Sequence, residues 1–302
     1  MEILPIRPPF DWLSPVQFAH PGLGRTFLAL YRNSRAADTL GVHHQTALDA
    51  CRIIASTRSR SGRVPLDDDL LTGPMYWYFL ADEAAPAVYP VVNDFRAWTF
   101  PIPIPEHWSA AHVVEVRPPG LRNRPMSDLV KDDDHGVCIV TGTGCTLENA
   151  HLIPREHSAW FAYHNLQIYN TDTILSTTED AANGVTLRAD IHRCLDLGGL
   201  VFVPVCNGVV AHLLDYSYDY TPFLHSLPIR LSQRVAIEFV YARFAFNILR
   251  PLNEKLEASL WTTVPIPAPL RRAPSVQSAT CSQGAPRPPS EPTVSQHPLD
   301  GE

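Results

Sequence analysis

Two apolar runs, Leu200–Val205 and Val209–Leu214, stand on either side of Cys206-Asn207-Gly208. An Asn-Gly pair between two runs of this kind is the strongest short-range sign of a β-hairpin. Directly before them, Gly198-Gly199 is a stop signal for a helix. The pattern therefore predicts a helix that ends near residue 198, followed by a tight antiparallel hairpin.

Helical periodicity marks two further segments. Residues 43–55 place Ala47, Ala50, Cys51 and Ile54 on one face, as expected of an amphipathic helix. A longer helix is predicted from Ser232, which can act as its N-cap, to about Leu249. Its apolar positions recur at helical spacing, and Pro251 is expected to end or kink it. These positions are Val235, Phe239, Ala242, Phe246 and Leu249.

The centre of the chain predicts shorter elements. Val137–Thr141 is a strand candidate, and Gly142-Thr143-Gly144 can turn it back onto Ala150–Ile153 to form a hairpin that ends at His151. Residues 155–169 predict a helix or an ordered crossover. Aromatic runs between residues 75 and 101 are typical of short strands and packed loops. Stacking on nucleic-acid bases by Trp77, Tyr78 and Trp98 is an alternative, but packing in the core is the stronger interpretation.

Asn183 is predicted to begin the next helix. Counting four residues at a time from Arg188 then puts Arg188, His192 and Asp196 on one stripe, so that a cation, an imidazole and a carboxylate face the same way. From spacing alone, a solvated and salt-bridged helix face is the simpler interpretation of this stripe.

Composition limits the functions that the chain can have. The formal net charge of −7 argues against a surface that grips nucleic acid over its whole extent, so any contact with DNA must be local. Six cysteines without a Cys-x-x-Cys pair, and an N-terminus unlike a signal peptide, favour free thiols in an intracellular, cytoplasmic or nuclear protein that is not secreted. No apolar run reaches membrane-spanning length.

His151, Asn183 and His192 carry the most specific chemistry in the sequence. An imidazole titrates near neutral pH, so His151 can activate a water molecule as a general base. Asn183 can cap its helix and fix the loop that faces His151. His192 is a candidate metal ligand, and Arg188 can clamp a phosphate oxygen. Together these groups suit a phosphodiesterase that uses one metal ion.

The residues around this trio resemble the HNH endonuclease family, most closely a branch common in fungal proteins. The resemblance rests on Cys138–Gly142, Ala150–Pro154, Asn183–Leu187 and Asp190–His192, with flanking similarity in Pro90–Phe95 and Tyr241–Ala245. It implies an α+β fold in which a ββα-metal finger is embedded in a mixed helical and short-strand domain.

The expected domain organisation follows from the position of that finger. Residues 1–130 are predicted to be a helical and short-strand scaffold whose first 35 residues are irregular. Residues 131–218 are the HNH-like domain, and 219–262 are a helical region packed on the core. Residues 263–302 are rich in Pro and Ser and are predicted to be a disordered tail.

The resemblance implies that His151 is the general base, that Asn183 orients it, and that His192 binds one divalent ion. Many family members have a further ligand just before the base, where this chain has Ala150. Asp196 is the best replacement ligand, and Asp190 and Asp180 are weaker candidates. The donors suit Mg²⁺, Mn²⁺, Ni²⁺ or Zn²⁺ without choosing among them.

Two functions remain open at this point. The first is hydrolysis of DNA by water that His151 deprotonates, with a 5′-phosphate left on the product. The second is a catalytically weak or inactive module that keeps the fold and binds nucleic acid or protein. Ala150 and the lack of a basic stripe in the sequence favour the second.

Overall fold

The computed structural model describes residues 14–32, 40–55, 70–80, 89–112, 124–172, 177–206, 208–217 and 219–257. They all lie in one compact unit, Met1–Pro267. The predicted tail at 263–302 falls outside the described residues. No helix in the described part of the chain is long and apolar enough to cross a membrane.

Residues 16–30 form two strands of a small sheet, so the expectation of irregular structure is wrong for this part of the first 35 residues, of which 1–13 and 33–35 lie outside the described ranges. β1 (Val16–His20) pairs with β2 (Arg25–Leu30) in antiparallel fashion. Phe18 and Phe27 are buried, which explains why this segment folds despite the surrounding prolines. Two short strands, β3 (Val42–His43) and β4 (Leu70–Leu71), pair with each other.

The first predicted helix is confirmed as α1 (His44–Ala55), and Ala47, Ala50, Cys51 and Ile54 are all buried. After it, β5 (Met75–Trp77) joins β1 in parallel. The aromatic run at 95–101 begins with a single 3₁₀ turn, Phe95–Ala97, in keeping with the predicted packed loops. Two helices then lead to the centre of the chain: α2 (Glu106–Ala111) and α3 (Met126–Asp133).

A ββα unit occupies the centre. β6 (Leu147–His151) pairs antiparallel with β7 (Gly184–Arg188). The helix α5 (Ala189–Asp196) follows β7 directly, after α4 (Ser158–Tyr163) in the crossover. The crossover also contains 3₁₀ turns at Arg155–His157 and Leu166–Tyr169, which agrees with the predicted ordered segment.

Two predictions about this unit are wrong. Val137–Thr141 is a turn, in which Gly142 has a φ of +68° and donates to the carbonyl of Cys138, so β7 is the partner of β6. Asn183 ends a 3₁₀ turn and does not begin a helix. Strand pairing with β6 overrides the helical periodicity of residues 184–188, because Val185 and Leu187 are buried there.

The predicted hairpin is confirmed by β8 (Leu200–Val205) and β9 (Gly208–Leu213), whose register pairs Val205 with Gly208. After the short helix α6 (Thr221–Leu224), β10 (Leu227–Ile229) adds a third strand beside β9.

The last helix, α7 (Ile237–Glu257), begins five residues after the predicted cap and continues through Pro251. Ser232 instead belongs to a turn in which its carbonyl accepts from Val235. Phe239, Ala242 and Leu249 are fully buried. One hydrophobic core joins α7 to the N-terminal segment and the ββα unit, and the proposed domain boundaries within it stay a prediction.

Candidate functional site

Asn183 is fully buried where the crossover enters β7, and its side chain makes three hydrogen bonds. Oδ1 accepts from the Ile153 N–H at 2.8 Å, and Nδ2 donates to the carbonyls of Ile153 and Thr178 at 2.9 Å each. Its own carbonyl accepts from the Leu152 N–H at 2.9 Å. Asn183 therefore holds the chain immediately after His151, although it caps no helix.

His151 is the last residue of β6 and is half-buried. Its Nε2 lies 3.1 Å from Oε1 of Glu179, and Glu179 also accepts a hydrogen bond from Arg155 at 2.6 Å. Burial lowers the pKa of His151, and the Glu179 charge opposes this shift. A carboxylate can only accept, so Nε2 carries the proton in this contact and Nδ1 of the neutral ring keeps its lone pair.

His192 lies on α5 between two carboxylates. Its Nδ1 is 2.7 Å from Oε2 of Glu148, and its Nε2 is 3.3 Å from Oδ2 of Asp196, one helical turn later. The shorter contact indicates that Nδ1 donates to the Glu148 carboxylate, which can only accept. Glu148 thus leaves Nε2 as the nitrogen that can bind a cation beside Asp196, which is how carboxylates orient histidine ligands in metal sites.

Arg243 of α7 connects both halves of this arrangement. It donates to Oδ1 of Asp196 at 3.1 Å, to the Leu195 carbonyl at 2.7 Å and to the His151 carbonyl at 3.4 Å. Its side chain is 1% exposed, and burial lowers its pKa to about 10, so it remains charged at neutral pH.

His151, His192 and Asp196 line one open cleft of about 910 Å³. The two histidines are close enough for the His192 charge to act on the pKa of His151. A candidate base and two candidate metal ligands therefore share a space that is large enough for part of a polymeric substrate.

Residues 138–203 match the family model of the HNH endonucleases. This stretch is an HNH endonuclease domain. No curated protein and no solved structure matches the chain. The assignment confirms the predicted family and the α+β fold with its embedded HNH unit, and it supports nuclease activity on nucleic acid in general.

Arg188 does not reach the cleft of the HNH domain. It directly precedes α5 in extended conformation, so the count of four residues from Arg188 to His192 is not a helical step. Its guanidinium forms a bidentate pair with Asp190, with contacts of 2.6 and 2.7 Å. That pairing leaves little of the fork for a phosphate.

The two weaker ligand candidates have structural partners of their own. Asp190 binds Arg188 and accepts from the Tyr220 hydroxyl at 3.2 Å. Asp180 caps the 3₁₀ turn before β7, where it accepts from three backbone N–H groups at 2.8 to 3.0 Å. Neither lines the cleft.

The donors left in the cleft fit one cation held by two protein groups. Two ligands about 2.1 Å from an ion, at angles between tetrahedral and octahedral values, lie about 3.0–3.4 Å apart. The 3.3 Å between His192 Nε2 and Asp196 Oδ2 falls in this interval. Ala150 brings no third donor, and no cluster of three His, Cys, Asp or Glu side chains suited to a metal occurs within the described ranges.

Four arginines from separate segments line the cleft, namely Arg96, Arg155, Arg243 and Arg250. The sequence shows no basic stripe because these residues are dispersed over more than 150 positions. Glu148 and Glu179 were likewise missed, since only the folded chain brings them beside the two histidines. Arg243 lies in the flanking similarity at Tyr241–Ala245, which was the one available signal for it.

Proposed function

We propose that this protein is a divalent-metal-dependent endonuclease that hydrolyses phosphodiester bonds in DNA. The observation that supports it most strongly is the convergence of His151, His192 and Asp196 on one cleft of an HNH endonuclease domain. HNH nucleases generally use a divalent metal ion, and the two-donor set is compatible with one.

In this proposal His151 is the general base. Its lowered pKa keeps the ring neutral at physiological pH, and Nε2–H donates to Glu179, so Nδ1 is the atom that accepts a proton from water. Asn183 supports this role by fixing the backbone of Leu152 and Ile153, which sets the position of His151 at the end of β6.

His192 and Asp196 would hold the ion, with Glu148 accepting the Nδ1 proton's hydrogen bond so that Nε2 is the nitrogen left to bind it. When bound, the ion supplies the positive charge that stabilises the phosphate and the leaving oxygen. With only two protein donors, the ion would need further oxygen ligands from outside the protein, which suits Mg²⁺.

DNA is the proposed substrate because four arginines against three carboxylates line the cleft, on a chain whose net charge is −7. Phosphate binding depends on local arginine and lysine side chains, so an acidic protein can still bind a polyanion at such a cleft.

The test is nicking of a supercoiled plasmid with Mg²⁺, Mn²⁺, Ni²⁺ or Zn²⁺. The wild type should nick in at least one metal, and His151→Ala and His192→Ala should each lose at least about 100-fold in rate. His135→Asn, at an exposed histidine whose φ of 58° Asn tolerates, is the matched control and should nick normally. Nicking in no metal, or equal nicking by all three variants, contradicts the proposal.

The alternative is a noncatalytic module, and Ala150 is the observation that favours it. This residue is fully buried and offers no donor where many family members have a ligand. Binding of DNA without nicking in any metal would select this alternative.

A further inference from the structure

Three of the four cleft arginines already have acceptors. Arg155 is paired with Glu179, Arg243 with Asp196, and Arg250 donates to the Asp196 carbonyl. The Arg96 side chain makes no hydrogen bond or ion pair with any residue in the described part of the chain, and it is exposed. Its charge is therefore available to a ligand.

The backbone at Arg96 is firmly held even though its side chain is not. Phe95 is 4% exposed and packs against Trp160 and Phe246, with ring centroids 4.3 and 5.3 Å away. Asp94 caps the 3₁₀ turn by accepting from the Arg96 N–H at 2.9 Å. Phe95 is thus anchored in the core, and this fixes the backbone position from which the Arg96 side chain extends.

We propose that Arg96 binds a backbone phosphate of nucleic acid in the cleft, next to the phosphate at His151 and His192. This rests on the proposed function, since it assumes a nucleic-acid ligand. The guanidinium fork matches two phosphate oxygens. Arg96 thereby takes the role that the sequence assigned to Arg188, which is occupied by Asp190.

Negative charges in the same cleft limit where the strand can lie. Asp94 and Glu156 also line it, and both are exposed. Asp94 accepts a backbone N–H through Oδ1, so its carboxylate stays close to the start of Arg96 without forming an ion pair with the guanidinium. A phosphate that binds Arg96 therefore replaces the weak attraction between the guanidinium and Asp94. The expected gain in affinity is that of one phosphate contact.

The experiment measures binding without cleavage. Fluorescence anisotropy of a labelled DNA duplex, and of an RNA of the same sequence, is recorded in EDTA between about 50 and 200 mM salt. Arg96→Ala should weaken binding about five- to tenfold near 0.1 M salt and reduce the slope of log K against log salt by about one. Arg96→Lys should retain most of the affinity.

Arg193→Ala is the matched control, because Arg193 is exposed on α5 outside the cleft lining. Equal effects of Arg96→Ala and Arg193→Ala with both nucleic acids, or no binding by the wild type, overturn the inference. Arg96-dependent binding supports it even if no metal permits nicking, an outcome in which only the nuclease proposal fails. If nicking requires His151 but Arg96→Ala binds nucleic acid as tightly as the wild type, the nuclease proposal stands and only the Arg96 inference is overturned.

Discussion

Arg243 donates to one carboxylate oxygen of Asp196 at 3.1 Å, while the other oxygen lies 3.3 Å from His192 Nε2. The carboxylate therefore bridges a buried cation and a candidate metal ligand. Because Arg243 also binds the carbonyls of Leu195 and His151, α7 holds the end of α5 against the end of β6. Arg243 thus adds to the β6–β7 pairing in holding the two halves of the site together.

Arg243→Met should destabilise the protein by about 3 kcal/mol, at the lower end for a broken buried pair because Asp196 is half exposed. The Met side chain keeps the contact with Phe246 but removes the guanidinium from a carboxylate and from two carbonyls, of which that of Leu195 keeps Asn247 as a donor. Urea unfolding monitored by tryptophan fluorescence measures the change.

Arg155→Met is the control for that substitution. Arg155 also pairs with a carboxylate, but 71% of its side chain is exposed, so the loss should stay below about 1 kcal/mol. Similar losses for the two variants would show that Arg243 contributes no more than a surface pair.

Glu148→Ala should weaken metal affinity by about 10- to 100-fold, as removal of a carboxylate behind a histidine ligand does. Glu148 is half exposed, so little stability should be lost with it. Titration calorimetry with Mn²⁺ or Zn²⁺ measures the affinity. Glu106→Ala, at an exposed glutamate in the first turn of α2, should bind metal as the wild type does. Unchanged metal affinity in Glu148→Ala would mean that His192 binds the ion without help from the Glu148 carboxylate.

The elements that the sequence predicted correctly depend on local signals. The hairpin β8–β9 has its turn between two apolar runs, and α1 has a complete apolar face. The prediction of a helix in place of β7 failed because Val185 and Leu187 also fit a helical pattern. Only pairing with β6, more than 30 residues away, decides between helix and strand. Periodicity within one segment contains no information about a distant partner strand.

The same limit applies to the candidate site. His151, His192 and Asp196 were found because they lie in or near a short family pattern, and the structure brings them to one cleft. Glu179 and Arg243 lie 28 and 92 residues from His151 in sequence. Their roles come from contacts made only in the folded chain, so spacing could not predict them.

His212 and His225 form a buried pair whose rings are 4.5 Å apart. Burial lowers the pKa of His225 to about 4 and that of His212 well below its usual value. The unfolded chain binds protons at these residues near pH 6.5, whereas the native state resists them, so stability should fall as pH drops from about 6.5 towards 4.

His225→Asn should reduce the slope of unfolding free energy against pH by about 1 kcal/mol per pH unit near pH 5.5, because one proton fewer is taken up on unfolding. The Asn oxygen can still accept from the Leu213 N–H, which His225 Nδ1 binds at 3.0 Å. Urea unfolding at several pH values gives the slope. The exposed His135→Asn serves as control, and an equal slope in both variants would contradict the expectation.

Ala150 offers a test of the missing ligand. It lies two residues after Glu148 in β6, so both side chains point to the same face of the strand, the face from which Glu148 reaches His192. Ala150 is fully buried, so Ala150→Asp should destabilise the metal-free protein by about 3 kcal/mol. A bound ion should recover that loss, because metal affinity adds to folding stability.

Thermal unfolding with and without Mn²⁺ should therefore give a larger rise in Tm for Ala150→Asp than for the wild type. Ala150→Asn has the same shape without the charge and should show a smaller rise. If the ion raises all three Tm values equally, residue 150 does not face the ion, and the two-donor set of His192 and Asp196 is the whole protein contribution.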